Sequence, residues 1–485
     1  MRLSELLPDI EIPQDFAGRE VAGVSCDSRA ATVGTVFFAL PGTKTDGLAF
    51  APQAVRQGAF AIVGERAPEM PIGAGVFIKV DDARAALAKA SAQFFPRQPE
   101  TVVAITGTSG KTSVAAFVRQ IWAAQGLAAA SLGTLGVVAP SGSVYGSLTT
   151  PDSVTLHKTL DQLAGAGVTH LALEASSHGI VQHRLDGVRL KAAAFTNLSR
   201  DHLDYHATLE DYFAAKLQLF ERLLEPGQSA VVDADSGVAE KVIAACEARG
   251  LRVFSTGRKG QTLKLLAAQP DNVSTRLEIA YAGEAVKLTL PLAGAFQASN
   301  ALVAAGLCLA TGSPSDTVFA ALERIEGAPG RLERVGQRQG APIYVDYAHK
   351  PDALDKVLRT LRPYLRGKLV VVFGCGGDRD PGKRPIMGDV AARLADLVIV
   401  TDDNPRSENP AAIRKAILAG AAGAANVREI GDRASAIAEA VALLGPDDGL
   451  LIAGKGHETG QIVGDITLPF SDSDCVRAAL KDYAA

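Results

Sequence analysis

Between Val102 and Ser113 the chain reads VVAITGTSGKTS, an apolar β-type run, a glycine turn and the start of a helix that the pattern carries to about Gln125. Gly107 and Gly110 let the backbone fold closely around an anion, with Thr108 and Ser109 between them and Ser113 in the first helical turn. The helix N-terminus aims unpaired N–H groups at that anion and Lys111 adds a point charge. Thr112 places a hydroxyl where Mg²⁺ takes oxygen ligands. The general phosphate-loop pattern separates its glycines by four residues, whereas two separate them here. The chemistry to expect is polyphosphate binding by a shortened loop.

Two further strand ends carry polar groups suited to that chemistry. Glu174 closes the run Thr169 to Glu174, and NLSRDHLDYH follows the next run at Asn197 to His206. Alone, Glu174 reads as an exposed strand-end acid, and His178, His202 and His206 as hydrogen-bonded loop histidines. Beside a triphosphate, Glu174 and His202 become candidate Mg²⁺ ligands with Thr112, because hard cations complete an oxygen shell with phosphate and water. Thr208 to Leu224 has a helical pattern, capped by Thr208 and with Phe213, Leu217 and Phe220 at helical spacing. Lys216 lies one position off that stripe, where residue type alone predicts a surface lysine with a snorkelling stem.

Such loops need rigid elements behind them. Short runs rich in Val, Ile, Leu and Ala at 101–106, 169–175, 192–197, 369–373, 396–401 and 449–453 alternate with Ala- and Leu-rich helical stretches. Continuous apolar runs of that length suit strands covered on both faces, which predicts βαβ units and parallel sheets in an α/β fold. Each run ends in polar or glycine-rich residues, and open α/β sheets bind ligands at the carboxyl ends of their strands. The chain has 485 residues, enough for about three domains at roughly 150 residues each. The polar stretch PRQPE at 96–100 and the turn GAPGR at 327–331 divide it into 1–98, 99–333 and 334–485.

Composition narrows the function classes. With 47% hydrophobic and 21% charged residues, disorder and collagen are excluded. The net charge of −4 argues against a general polyanion binder, so no nucleic-acid partner is expected. No apolar run approaches the roughly 18 residues of a membrane span, and MRLSELLPDIE lacks a signal peptide's apolar centre, so a cytoplasmic location without membrane insertion is expected. Cys26, Cys246, Cys308, Cys375 and Cys475 form no CxxC pair, which predicts reduced, mostly buried thiols and neither a zinc site nor a disulfide framework.

TGTSGKTS, EASSHG, NLSRDHLDYH with Lys216 ten residues later, DNPR and GKGHE, in this order, resemble the Mur ligases, ATP-dependent amide-forming enzymes of peptidoglycan synthesis. The resemblance covers essentially the whole chain. It implies three α/β domains: an N-terminal UDP-binding domain, a central phosphate-loop ATPase domain with a mainly parallel sheet, and a C-terminal Rossmann-like domain that closes on it. It also implies the reaction, in which the D-Glu carboxylate of UDP-N-acetylmuramoyl-L-alanyl-D-glutamate is phosphorylated by ATP and the acyl phosphate is displaced by an amino acid. Within the resemblance Lys111, Lys216 and His202 are catalytic, and Thr112, Glu174, His202 and Lys216 hold metal, Lys216 as a carbamate (N6-carboxylysine). A monomer is expected.

The resemblance extends to the substrates residue by residue. Gly107 through Ser113, Asn300 in FQASNAL, Arg331 in GRLE and Asp346 in VDYAHKP match ATP contacts, with His349 and Lys350 near the phosphates. Ser28, Thr149, Thr150, Ser176, Gln182 and Arg184 match contacts to the UDP substrate. Arg379, Asp403, Asn404, Arg406, Gly454 and Glu458 match the amino-acid site. DNPR resembles the sequence of members that add meso-2,6-diaminopimelate, and its arginine has a physical reason to be there: a guanidinium can grip that molecule's extra carboxylate bidentately. The competing readings are a lysine-adding ligase, a folylpolyglutamate synthetase sharing the phosphate loop, and an ATP-binding regulator without ligation. CDSR and DNPR argue against the first two; Glu174, His202 and Lys216 argue against the third.

Overall fold

The computed structural model describes every residue except Thr43, Lys44, Met70, Ser147, Leu203, Asp204, Asp482, Ala484 and Ala485, so two residues of the Asn197–His206 motif lie outside the described residues. The chain forms two compact units, one of residues 1–261 and 303–315, the other of residues 262–302 and 316–485.

The first unit begins with a parallel sheet of β1 (Gly23–Ser25), β2 (Thr35–Phe38), β3 (Ala61–Gly64) and β4 (Val76–Lys79), in sequential order. These strands are three or four residues long, too short for a continuous apolar run to announce them. A second sheet contains β5 (Thr101–Thr106), β6 (Ala129–Gly133), β7 (Gly136–Ala139), β8 (Gly142–Val144), β9 (His170–Glu174), β10 (Leu190–Phe195), β11 (Ser229–Asp233) and β12 (Arg252–Gly257). Its order is β12-β11-β10-β5-β9-β6-β7-β8, parallel except for the antiparallel turns β6-β7-β8.

Val102 to Ile105, Leu171 to Leu173 and Ala192 to Phe195 are all fully buried. Successive side chains of a strand face opposite ways, so both faces of this sheet are covered, as the apolar runs predict. Because β5 lies between β9 and β10, with Ile105 paired to Glu174 and Thr106 to Phe195, the carboxyl ends of all three strands fall side by side.

The second unit holds an antiparallel meander of β13 (Leu263–Asp271), β14 (Ser274–Tyr281) and β15 (Glu284–Leu290). It also holds a sheet of β16 (Glu333–Arg338), β17 (Ala341–Asp346), β18 (Leu369–Phe373), β19 (Leu397–Val400), β20 (Val427–Glu429) and β21 (Gly449–Ala453), in the order β16-β17-β21-β18-β19-β20. Only β16 runs antiparallel there. A hairpin of β22 (Gly460–Val463) and β23 (Ile466–Pro469) completes the unit. The mainly parallel α/β character expected from the sequence is found in both units. The meander was not foreseen, because one of its faces stays in solvent and its apolar residues alternate instead of running together. Among the described residues no helix is long and apolar enough to cross a membrane. All five cysteines are free thiols; Cys246, Cys308 and Cys375 are buried and Cys26 and Cys475 half-buried.

One charge pair ties the second unit together. The Arg433 guanidinium donates to Asp472 Oδ1 at 2.7 Å and Oδ2 at 2.8 Å, and both side chains are fully buried. The same guanidinium donates to the Ala453 carbonyl at the end of β21 (3.0 Å) and to the Asp402 carbonyl after β19 (3.3 Å). Removing one partner leaves an uncompensated charge in a dry interior. Asp472→Asn should therefore lower the unfolding free energy of this unit by about 3–5 kcal/mol, read as a fall in the urea midpoint; an unchanged midpoint would show the pair to be dispensable.

Candidate active site

The phosphate loop turns at the carboxyl end of β5 and enters the helix Lys111–Ala124. Gly107 has φ 139°, and a Cβ there would lie 1.9 Å from Thr196 Oγ1, so backbone freedom and close approach both demand glycine. Asn197, just past β10, clasps the loop: its Oδ1 accepts from Ser109 N at 3.0 Å and its Nδ2 donates to Ser109 O at 3.1 Å. Lys111 Nζ folds back onto the carbonyls of Gly107 (2.8 Å) and Thr108 (3.0 Å).

Glu174 is buried beside this loop, held on three sides. Thr112 Oγ1 donates to its Oε2 at 3.1 Å, Thr134 Oγ1 to Oε2 at 3.2 Å, and Thr134 N to Oε1 at 2.8 Å. The carboxylate lies flat against Gly133, where a Cβ would meet Oε1 at 2.1 Å. Thr134 and Gly133 escaped the sequence reading; the turn after β6 carries no charge or motif to flag them. A hydroxyl and a carboxylate at the mouth of an anion-binding loop form the oxygen donor set that Mg²⁺ accepts, so the residues present fit that ion and a nucleotide polyphosphate. Among the described residues no group of three or more His, Cys, Asp or Glu is assembled as a metal centre by itself.

Lys216 corrects the reading by residue type alone. Its helix spans Leu209–Gln218, capped by Thr208 Oγ1 on Asp211 N (3.0 Å) as expected, but the lysine is only 1% exposed. Its Nζ donates to the Gly107 carbonyl at 2.9 Å and sits 4.3 Å from the Tyr212 ring centroid. Burial, and after it the nearby Lys111 ammonium, pulls its pKa well below the ordinary lysine value. His202 lies on the same side with φ 52° and its side chain half-exposed, its ring 5.1 Å from His178. His178 in turn packs on Tyr205 at 3.9 Å, and buried His206 bonds Ser177 Oγ at 3.0 Å.

Most of the residues expected at the UDP substrate are tied together by hydrogen bonds. Thr149 Oγ1 meets Thr134 Oγ1 at 3.1 Å, Thr150 Oγ1 donates to the Glu174 carbonyl at 2.8 Å and accepts from Ser176 N at 3.0 Å. Arg184 donates to the Thr150 carbonyl at 2.6 Å and to Gln182 Oε1 at 2.7 Å. Gln182 and Arg184 line a cavity of about 190 Å³ with Leu40, Arg84, Leu87 and Asp152. Ser28 donates to Gln53 Oε1 at 3.1 Å and, among the described residues, bonds none of the others.

In the second unit, Asn300, Arg331 and Asp346 are linked. Asn300 Nδ2 donates to Gln297 Oε1 at 3.2 Å, and Gln297 Nε2 to the Arg331 carbonyl at 2.9 Å. The Arg331 guanidinium lies over the Tyr347 ring at 4.9 Å. Asp346, at the end of β17, accepts from Leu332 N at 2.7 Å and Ala348 N at 2.8 Å; burial still pushes its pKa up to about 6, against the pull of Arg331 and those two bonds. His349 stands next to it, its ring on the Tyr347 carbonyl at 2.8 Å.

The loops after β18, β19 and β21 of the same unit bring the remaining residues together. Asp403 and Asn404 are buried, and Gly454, at φ 118°, passes so close that a Cβ would lie 2.6 Å from Asp403 Oδ2. Asn404 Nδ2 donates to Glu458 Oε2 at 2.8 Å. Arg406 adopts a left-handed φ of 51°, held by strand-like bonds to the hairpin: its N–H donates to the Ile462 carbonyl at 3.0 Å and its carbonyl accepts from Gly464 N at 2.8 Å. Its half-buried guanidinium donates to the Gly377 carbonyl at 2.9 Å, and a Cβ on Gly376 would lie 2.8 Å from Arg406 Nη1 and 3.9 Å from Arg379 Cγ. A solvated turn charge is therefore not what the structure places at Arg406. The β22–β23 hairpin and Lys455 were not anticipated as parts of this cluster.

Comparison with known proteins gives these clusters a family. The chain matches models described as "Mur ligase family, catalytic domain" over residues 20–95, "Mur ligase middle domain" over 105–308, and "Mur ligase, glutamate ligase domain" over 330–456. It is 58% identical to the UDP-N-acetylmuramoyl-L-alanyl-D-glutamate--2,6-diaminopimelate ligase of Bradyrhizobium diazoefficiens, with 100% of both chains covered. It is 47% identical to the protein of that name from Zymomonas mobilis, with 95% of both covered. A solved structure of a ligase of the same name superposes with a TM-score of 0.74 at 32% identity, covering 100% of this chain and 99% of that one. A folylpolyglutamate synthase of Mycobacterium tuberculosis, at 21% identity and a TM-score of 0.59 over 76% of this chain and 92% of its own, shares the fold. Full-length identity at this level, with matches in three successive segments, places the chain in the Mur ligase family.

Proposed function

We propose that the chain is an ATP-dependent amide ligase that joins meso-2,6-diaminopimelate to UDP-N-acetylmuramoyl-L-alanyl-D-glutamate in cytoplasmic peptidoglycan synthesis. The observation that carries the choice of amino acid is the half-buried Arg406 guanidinium, which donates to the Gly377 carbonyl at 2.9 Å and the Asn404 carbonyl at 3.4 Å, while the Asn404 amide holds Glu458. Cation and carboxylates in one cluster suit a zwitterion with a second zwitterionic end. Relatives bearing the diaminopimelate ligase name, at 58% and 47% identity, support this reading. The limits 1–98, 99–333 and 334–485 remain our proposed domain boundaries, with the matched segments 20–95, 105–308 and 330–456 in support.

The chemistry follows from charge. The D-Glu carboxylate attacks the γ-phosphorus; a P–O bond forms to the substrate, the bond to the β-phosphate oxygen breaks, and ADP leaves. The amine of the second substrate then attacks the acyl carbon, inorganic phosphate departs, and the amine's proton passes to solvent or a nearby base. Gly107 through Ser113 cradle the phosphates through backbone N–H groups, and Lys111 neutralises charge growing on the transferred group. Thr112 and Glu174, with His202, would hold Mg²⁺, which supplies Lewis-acid neutralisation of phosphate oxygens. Arg184, Gln182, Ser176, Thr150 and Thr149 hold the UDP substrate, with Ser28 at its uracil end; Asn300, Arg331 and Asp346 hold the nucleoside side of ATP.

Lys216 fits a carbamate. Its burial favours the neutral amine, which can attack CO₂ to form a C–N bond with loss of a proton, converting an uncharged group beside Lys111 into an anion. Lys216→Ala should reduce ligation by about 10²–10³-fold, the scale for losing one preorganised electrostatic contact, and small carboxylates should restore part of the rate; full activity in the variant would remove its metal role.

The amino-acid assignment is tested by ADP release. It should require both UDP-N-acetylmuramoyl-dipeptide and an amino acid, and diaminopimelate should outcompete lysine by about 30-fold or more, the cost of leaving a desolvated arginine without its partner. Arg406→Ala should collapse that preference while leaving the KM of the UDP substrate nearly unchanged. Equal use of both amino acids by the wild-type enzyme would overturn the assignment.

A further inference from the structure

Lys455 stands in the loop after β21, between Gly454 and Glu458, and its side chain is fully buried. Its Nζ donates to Asn404 Oδ1 at 2.9 Å, to Glu458 Oε2 at 3.1 Å and to the Gly460 carbonyl at 2.6 Å. An ammonium has three donors, and each finds an acceptor here. Those acceptors come from the loop after β19, from its own loop and from the start of the hairpin. A buried cation is tolerated only when it is bonded and compensated in this way, so the geometry around it is tightly specified.

The consequence reaches two residues of the amino-acid cluster. Asn404 Oδ1 accepts from Lys455 Nζ and also from Ile462 N at 3.0 Å, which forces the amide's other end, Nδ2, toward Glu458. Both bonds to the Glu458 side chain, from Asn404 and from Lys455, end on Oε2; among the described residues Oε1 receives none. One carboxylate oxygen is thus committed to the protein and the other is kept for a cationic ligand.

We propose that Lys455 is a positioning residue for the amino-acid substrate: its buried ammonium locks the Asn404 amide and one oxygen of Glu458, so that the other oxygen meets the distal ammonium of the incoming diamino acid. This rests on the amino-acid site proposed above and deepens it. A simple strut between two loops would instead affect stability and all substrates alike.

The test is Lys455→Met in the full-length enzyme, with KM measured for diaminopimelate, for the UDP-dipeptide and for ATP through ADP release. The amino-acid KM should rise by about 30-fold or more, the scale for breaking a buried charged hydrogen bond, while the other two stay within about twofold. In a Glu458→Gln background the same substitution should raise it by less than about fivefold, because the carboxylate to be positioned is gone. An unchanged amino-acid KM, an equal rise in all three, or the full penalty persisting in the Glu458→Gln background would overturn the proposal. Should Lys455→Met fail to fold, Lys455→Gln keeps two donors without the charge and should give the same split at a smaller size; no split there overturns the proposal equally. If the wild-type enzyme selects another amino acid, the assignment to diaminopimelate falls, and the same KM comparison with that amino acid still decides the role of Lys455.

Discussion

Two lysine side chains converge on one carbonyl. Lys111 and Lys216 reach the Gly107 oxygen at 2.8 and 2.9 Å, one from the loop's own helix and one from a helix about a hundred residues further along. Charging both would set like charges together where water is excluded, so burial and the Lys111 ammonium both disfavour a charged Lys216. The site is thereby biased toward anything that brings negative charge: a polyphosphate between the two, or conversion of the buried amine to an anion. Gly107 makes the convergence possible, since any side chain there would strike Thr196. The neighbouring pieces, Asn197 clasping Ser109 and Thr134 bracing Glu174, hold the loop in the shape that exposes this electrostatic demand.

Strand order does the coarse positioning. With β5 between β9 and β10, residues from three distant stretches of sequence reach the same edge without long side chains or special loops. The second unit works by the same rule: β21 lies between β17 and β18, with β19 beyond, so the loops carrying Asp346, Gly376, Asp403 and Gly454 open at one end of one sheet. What differs is the glue. The first unit fixes its site with hydroxyls and a buried carboxylate, whereas the second relies on buried cations, Arg433 and Lys455, each bonded to backbone and to an acid.

Much of this was legible in the chain because the information was local. A phosphate loop is contiguous, and its glycines, lysine and threonine mean the same thing wherever they occur. The apolar strand runs were legible for the same reason, since burial on both faces leaves no polar alternation; their expected limits fall within one or two residues of β5, β9, β18, β19 and β21. The failures are non-local. Lys216 lies on the buried face of its helix with Tyr212 and Ala215, one position round from the stripe that the residue types suggest, and the carbonyl it bonds, Gly107, lies 109 positions earlier. Lys455 and Asn404 are 51 positions apart, and neither residue type announces the other. The hairpin that holds Arg406 was hidden because its strands have only four residues each, too few for an alternation to stand out, and β23 is exposed throughout.

The left-handed backbone at Arg406 is propped by Ile462 and Gly464 rather than by its own neighbours. In evolutionary terms the proposed assignment of Arg406 makes the amino-acid preference a two-cassette trait. A lineage or an engineer wishing to retune it inherits a coupled exchange, in which the tetrapeptide supplies the chemistry and a distant ribbon supplies its pose. Single replacements at the guanidinium should abolish one preference far more readily than they create another.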